Sequence, residues 1–446
     1  MVRRVSSPII QRPAGRGLVT GGLVRAAAWD TGLSLVSPVT AAGPDTGWRA
    51  PASLPLSRRV VITGVGPVAC CGIGKEAFWQ AVRDGVSGIS RIDSFDVSKL
   101  PCQIAGQIRN FDPLDYIEPK KARKQGRFVH FAVAAARLAV EDAGLNLSAM
   151  NPYDIGVAFG SSGAGNGNLA DDAYRTAYSE GFKSVDAGVI NEVPAHAAAS
   201  HIAIEMGLKG PHMSSSTGCV TAIATIVQGY RVLRDGLAKC MIVGASEAAV
   251  SELLFTLLCR QRVLSSCNHD PKGACKPFDK RRDGLVLGEG AGALVLETAE
   301  HALRRGARIY AEVVGYGFAC EAYHMVISIP SGEELARALK DALAMAHLAP
   351  TDVDYFCAHG IGNKQYDLAD TRGLKLALGD RAYHVPVSSI KAVTAQPFAP
   401  CGAFQAAAIA MAMETNTVPP TVNYAVPDEE CDLDYVPNEA REAPVR

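Results

Sequence analysis

The sequence predicts an α/β fold in which central sheets are covered by helices. Two observations carry this. Short β-branched or apolar runs have the length of buried strands, and segments of helical period separate them in regular alternation along the chain. With 446 residues the chain is long enough for two to three average domains or for one large duplicated fold, and in either case for a sizeable core.

In chain order, residues 59–64 (Arg59-Val60-Val61-Ile62-Thr63-Gly64) read as a β-branched strand. It ends at a Gly-rich turn, Gly64-Val65-Gly66-Pro67-Val68-Ala69. That turn has the outline of a dinucleotide-binding fingerprint, but Pro67 lies inside it. Asp93, the acid at about the expected distance, falls in a turn-rich stretch, so no nucleotide is expected there. Residues 128–142 place Phe128, Phe131, Ala132, Ala135, Leu138 and Ala139 on one helical face, with Gly144 positioned to end the helix. Residues 153–159 form a buried strand that runs into a Gly-rich loop at 160–168. Further strands are expected at 239–244, 292–297, 308–314 and 355–358, with a helix at 333–347. The basic run Lys120, Lys121, Arg123, Lys124 and Arg127 reads as a solvated face that is also suited to an acidic protein partner.

Composition excludes several function classes. Hydrophobic residues make up 48% and charged residues 20%, and the formal charge is -1, so nothing favours nucleic acid or an anionic membrane surface. No apolar run approaches the roughly 20 residues of a membrane span, and a soluble protein is expected. The 12 cysteines contain no C-x-x-C pair. Disulfides and metal sites are therefore disfavoured, and a reducing, cytoplasmic setting is expected. Residues 1–58 stand apart: Arg3, Arg4, Arg12, Arg16, Arg25 and Arg49 occur there without Lys or Glu, among Gly, Pro, Ser and Ala. The expectation is a disordered extension; the alternative is an organellar presequence, which would imply a mitochondrial location.

The chemistry concentrates at Cys219. Residues 214–220 form a small-residue turn, and Ile223, Ile226, Val227, Tyr230 and Leu233 follow at helical spacing until Gly236. The cysteine is thus expected at the N-terminus of a buried helix. There the backbone N–H groups and the helix dipole favour the reactive thiolate, and the same groups suit an oxyanion. On spacing alone, a packed thiol is an equal alternative.

Together with Cys219, several other segments resemble the beta-ketoacyl-[acyl-carrier-protein] synthases of thiolase fold. They are 276–292 (from Lys276-Pro277-Phe278-Asp279 to Gly290-Ala291-Gly292), Glu321-Ala322-Tyr323-His324-Met325, Ala358-His359-Gly360 with Asp367, Ser389-Ile390-Lys391, Pro419-Pro420-Thr421 and 430–437. The resemblance runs from about Arg59 to the C-terminus. After His359 it is nearest the ketosynthase subunits of bacterial aromatic and polyene polyketide assembly. It implies two similar halves, 59–305 and 306–446, in a five-layered α/β/α/β/α arrangement, as a homodimer or as a heterodimer with a related chain. It also implies an acyl carrier protein as partner and decarboxylative Claisen condensation in fatty acid or polyketide synthesis, with no cofactor or metal. Cys219 is the implied nucleophile, His359 the first histidine of a Cys-His-His set, and Lys391 the lysine of the charge network. Asp367 and Asp370 support that network, Asp370 replacing a usual glutamate. His324 is expected to be structural.

The sequence departs from the family pattern at three places. Gln396 stands where the family has its second histidine; an amide can donate to a carbonyl oxygen but cannot transfer a proton near neutral pH. Ile361-Gly362-Asn363 replaces a hydroxyl-rich segment of the carrier-arm channel. The second half is expected to lack its last strands and the loop whose backbone N–H completes the oxyanion hole. These departures keep open a noncatalytic chain-length-type partner subunit, and also acyl transfer without condensation. Cys401-Gly402 resembles the second cysteine of thiolases and is expected to be a packing residue.

Overall fold

The computed structural model describes residues 35–37, 54–163 and 167–446. The strands of its large sheet are β1 (Leu35–Ser37), β2 (Val60–Ala69), β3 (Gly72–Ile73), β4 (Ile155–Gly160), β5 (His212–Met213), β6 (Cys240–Glu247), β7 (Gly290–Thr298) and β8 (Ala311–Gly315). They are ordered β1-β8-β2-β7-β6-β4-β5, with β3 folded back on β2. β4 runs parallel to both β5 and β6, and the other pairings are antiparallel.

Helices and a second pair of strands form the layers around it. Helices α1 (Arg127–Asp142) and α2 (Ala197–Met206) cover one face of the sheet; α3 (Thr221–Arg234) covers the other. The alternation of β-strand side chains explains how one sheet serves both. Ile242 and Val295 pack into the core with α1, whereas Met241, Val243, Leu294 and Leu296 pack with Ile223 and Ile226 of α3. On the far side, α4 (Glu333–Ala346) and α5 (Lys364–Leu378) lie against the parallel pair β9 (Phe356–Cys357) and β10 (Val387–Ser388). α6 (Cys401–Thr415) lies in the central layer beside α3, where Phe404 and Ala408 share a core with Ile223, Cys357 and Ile390. The order is therefore α/β/α/β/α. The second sheet is much smaller than the first, and the strand pair at Thr417–Val418 and Arg441–Glu442 stands apart from it.

The expected Gly-rich turn at 64–69 is instead the second half of β2, which continues unbroken from Val60 to Ala69. Its glycines meet α1. A Cβ on Gly64 would lie 2.2 Å from the Ala139 carbonyl oxygen, and one on Gly66 would lie 2.1 Å from that of Ala135. Glycine here serves helix–strand contact and does not cradle a phosphate. Because backbone faces backbone, no side chain can move to relieve the clash. Gly66→Ala is expected to cost at least about 3 kcal/mol, the upper end of overpacking penalties, measured by chemical denaturation. A loss under about 1 kcal/mol would refute this packing account.

The expected disordered extension, residues 1–58, lies largely outside the described residues. Within it, a strand forms at Leu35–Ser37 and a short 3-10 helix at Leu56–Arg58, and described structure is continuous from Leu54 to Gly163. The strand expected at 308–314 is β8; it pairs with β2 in the large sheet and is tied to it by Arg59, whose guanidinium meets Glu312 at 2.6 and 2.8 Å. The five residues of the basic run are all exposed, as a solvated face requires, and two of them also reach buried partners. Lys121 pairs with the buried Glu205. Arg127 donates to the buried Glu289 and to the Ile108 carbonyl, with its guanidinium 4.6 Å from the Phe131 ring centre. Among the described residues, no helix is long and apolar enough to cross a membrane.

Candidate active site

Cys219 sits in a tight turn, Gly218–Val220, that leads directly into α3. Gly218 has φ 62°, a left-handed value that lets the chain turn sharply and present the next side chain. Thr221 Oγ1 closes the turn by donating to the Gly218 carbonyl at 2.7 Å and accepting from Thr217 N at 2.9 Å. One N–H at the start of the helix is already used, since Ala222 N donates to the Ala399 carbonyl at 3.2 Å. The sulfur itself receives a hydrogen bond from Gln396 Nε2 at 3.4 Å. Gln396 is 1% exposed, and its Oε1 has no hydrogen-bond partner among the described residues.

His359 follows β9 and is almost wholly buried. Lys391, at 1% exposure, donates through Nζ to the His359 carbonyl at 2.6 Å and lies 3.5 Å from His359 Nδ1. In isolation this lysine reads as solvated. Its burial is possible because it lies at the start of the short helix Lys391–Thr394, where the His359 carbonyl and imidazole receive its protons.

The loop after His359 is held by the start of α5. Asp370 Oδ2 accepts from Gly360 N at 2.7 Å, and Asp367 accepts from Ile361 N at 3.0 Å and Phe278 N at 2.8 Å. Ser389 Oγ donates to the Gly360 carbonyl at 2.6 Å. Burial pushes the Asp367 carboxyl above its ordinary range, and the neighbouring Arg282 guanidinium, 3.4 Å away, pulls it back. Ile361 is buried, and Asn363 caps α5 by accepting from Gln365 N.

The predicted residues are thus joined in two pairs, Cys219 with Gln396 and His359 with Lys391, and the two aspartates brace the loop between β9 and α5. His324 is not in this group. It is exposed and accepts from Val326 N and Ile327 N in its own loop. Sequence reasoning missed two contributors. Arg282 bonds to the Asp279 carbonyl and Asp428 Oδ2, besides its ion pair with Asp367. Its position inside the 276–292 segment was the available signal. Cys401, expected to be a packing residue, is buried but also donates its thiol to the Cys219 carbonyl at 3.1 Å. Only the approach of α6 to the Cys219 turn brings the two together.

Two family models match this chain: the beta-ketoacyl synthase N-terminal domain over residues 57–302 and the C-terminal domain over 310–425. It is 39% identical over 384 residues to 3-oxoacyl-[acyl-carrier-protein] synthase 2 of Synechocystis sp., covering 86% of this chain and 92% of the relative. Among solved structures it is similar to the ishigamide ketosynthase/chain length factor (TM-score 0.81, 32% identity, 87% of this chain and 94% of the other). It is also similar to a type II polyketide synthase acyl-carrier protein in complex with its ketosynthase bound to the hexaketide (TM-score 0.79, 31% identity, 87% and 94%).

Proposed function

Because the chain belongs to the beta-ketoacyl synthase family, we propose that it is a 3-oxoacyl-[acyl-carrier-protein] synthase, an acyltransferase that condenses an acyl-cysteine with malonyl-carrier protein. The observation that carries this reading is the thiol at the head of α3 with an amide N–H directed at its sulfur. The Cys219 thiolate attacks the carrier thioester; the acyl group passes to sulfur and the carrier thiol leaves. Malonyl-carrier protein then loses carbon dioxide, and its enolate carbon attacks the acyl-cysteine carbonyl. The β-ketoacyl-carrier product departs and the Cys219 thiolate returns.

The residues divide this work. Decarboxylation places negative charge on the thioester oxygen, so donors aimed at that oxygen lower the barrier. His359 is suited to be one. A lysine ammonium only donates, so the ring meets Lys391 with Nδ1 as acceptor and a neutral imidazole carries its proton on Nε2. The Gln396 amide is the second donor. Lys391 fixes the backbone of His359, and Asp367 and Asp370 fix the loop that follows it. The reaction needs no cofactor or metal.

The exposed Lys120, Arg123 and Lys124 present positive charge to an acidic carrier protein. A second chain of the same kind, identical or related, would cover the exposed Tyr174, Tyr178, Phe182 and Ile190.

The test is incubation with acyl- and malonyl-carrier protein, following the intact mass of the chain and the release of carbon dioxide. Acylation with carbon dioxide release and a β-ketoacyl product is expected. Acylation alone would leave an acyltransferase without condensation, and no acylation would leave a partner subunit. Gln396→His is expected to raise decarboxylation by about tenfold and to add a limb to its pH profile near an imidazole pKa. An unchanged rate and profile would show that the amide does not limit the reaction.

A further inference from the structure

Gln396, which donates to the Cys219 sulfur, is carried by a strained turn. Lys391–Thr394 is a single helical turn, too short to satisfy its own carbonyls. The chain then passes through Ala395 at φ 55°, ψ -172°, a conformation that essentially only glycine adopts without cost. Strain of this kind persists where the surroundings over-determine it. Here the last three carbonyls of the turn each have a donor from the N-terminal part of the chain. Ser87 Oγ donates to Ala392 O at 2.8 Å, Gly88 N to Val393 O at 3.0 Å and Cys70 Sγ to Thr394 O at 3.3 Å. Beyond Ala395, Gln396 N donates to Val286 O and Gly288 N to Gln396 O.

The Ala395 methyl has little room to relax. A Cβ on Gly106 would fall 2.7 Å from both Ala395 Cβ and Cys70 Sγ, and one on Gly288 would fall 3.0 Å from Ala395 Cβ. Cys70 is suited to donate. Burial, with Cys71 and Glu289 adding to the effect, pushes its thiol well above the ordinary cysteine range, so the proton stays on sulfur.

We propose that Cys70 and Ser87 are positioning residues for Gln396. By clamping the carbonyls of the 392–394 turn they hold its amide N–H on the Cys219 sulfur, and so help set how readily that thiol ionises. The role deepens the proposed function, since it assigns to two residues far from the nucleophile in sequence part of the control over its reactivity.

The experiment follows iodoacetamide alkylation of Cys219 against pH, read by mass mapping of the peptide that carries it, in wild type and variants. A donor to the thiolate favours it, so Gln396→Ala is expected to move the midpoint upward and slow alkylation at neutral pH by about tenfold. Cys70→Ala and Ser87→Ala are expected to move it in the same direction, slowing alkylation by about threefold, and Cys70→Ser, which keeps an O–H donor, to return most of the wild-type profile. A wild-type midpoint in Ser87→Ala or in Cys70→Ala overturns the proposal. So does a loss in Cys70→Ser equal to that in Cys70→Ala, or a midpoint unmoved by Gln396→Ala. If Cys70→Ala does not fold, Ser87→Ala and Cys70→Ser decide the matter. Alkylation uses neither carrier nor acyl group. An unshifted profile therefore removes the clamp without touching the condensation reading, and a shifted profile in a protein that never condenses removes the condensation reading alone.

Discussion

Cys219→Ser is expected to lower acyl transfer by at least about 10⁴-fold while leaving the fold intact. Serine nearly matches cysteine in volume, so the Gly218–Val220 turn and its Thr221 clasp keep their shape. The chemistry does not survive. The helix start and the Gln396 amide favour a thiolate whose ordinary pKa is within reach of neutrality, whereas a hydroxyl is far too weak an acid for the same groups to ionise. The measurement is the intact mass of the variant after exposure to an acyl-carrier thioester, together with its melting temperature. An acyl adduct formed at the wild-type rate on another of the cysteines would sink the assignment of Cys219.

Arg282→Met is expected to destabilise the protein by about 3–5 kcal/mol, the range for stripping one partner from a buried ion pair. The Arg282 side chain is 2% exposed and that of Asp367 is 0%. Methionine fills comparable space but leaves the Asp367 carboxylate buried beside Phe278 N and Ile361 N without its cation. The sign of the pH dependence follows. Burial already raises the Asp367 carboxyl above its unfolded range, and loss of the guanidinium raises it further. A group whose folded pKa lies above its unfolded value gives most stability below the unfolded pKa and loses it as pH rises through the folded one. The deficit of the variant is therefore expected to be largest at neutral pH and to shrink as pH falls toward about 4. Thermal melts across that range check it. A deficit independent of pH would show that the cost comes from lost packing and not from an unpaired charge. Condensation is expected to fall in parallel, since Asp367 holds the loop that follows His359.

Much of the fold could be read along the chain because it depends on local pattern. The helix expected at 128–142 is α1, the strand expected at 239–244 overlaps β6, that expected at 292–297 lies within β7, and the helix expected at 333–347 is α4. The Gly64–Ala69 segment misled for a physical reason. Glycine in a strand has two uses, a turn and a close backbone contact, and only the presence of α1 against β2 selects the second. Lys391 and Arg127 show the limit of reading one residue alone. A cation reads as solvated until the fold supplies the carbonyl, imidazole or carboxylate that permits its burial or pairing.

By itself the sequence determined the alternation of elements, the thiol at a helix start and the family to which the segments around it correspond. These depend on residues close together in the chain, whose periodicity and turn chemistry act locally. Tertiary structure decided which distant residues meet that sulfur and hold the groups around it: Gln396 on Cys219, Cys401 on the Cys219 carbonyl, Arg282 on Asp367, Cys70 and Ser87 on the turn before Gln396. Hydrogen bonds and ion pairs act over a few ångströms of space, and separations of tens to hundreds of residues close to that range only when the layers pack.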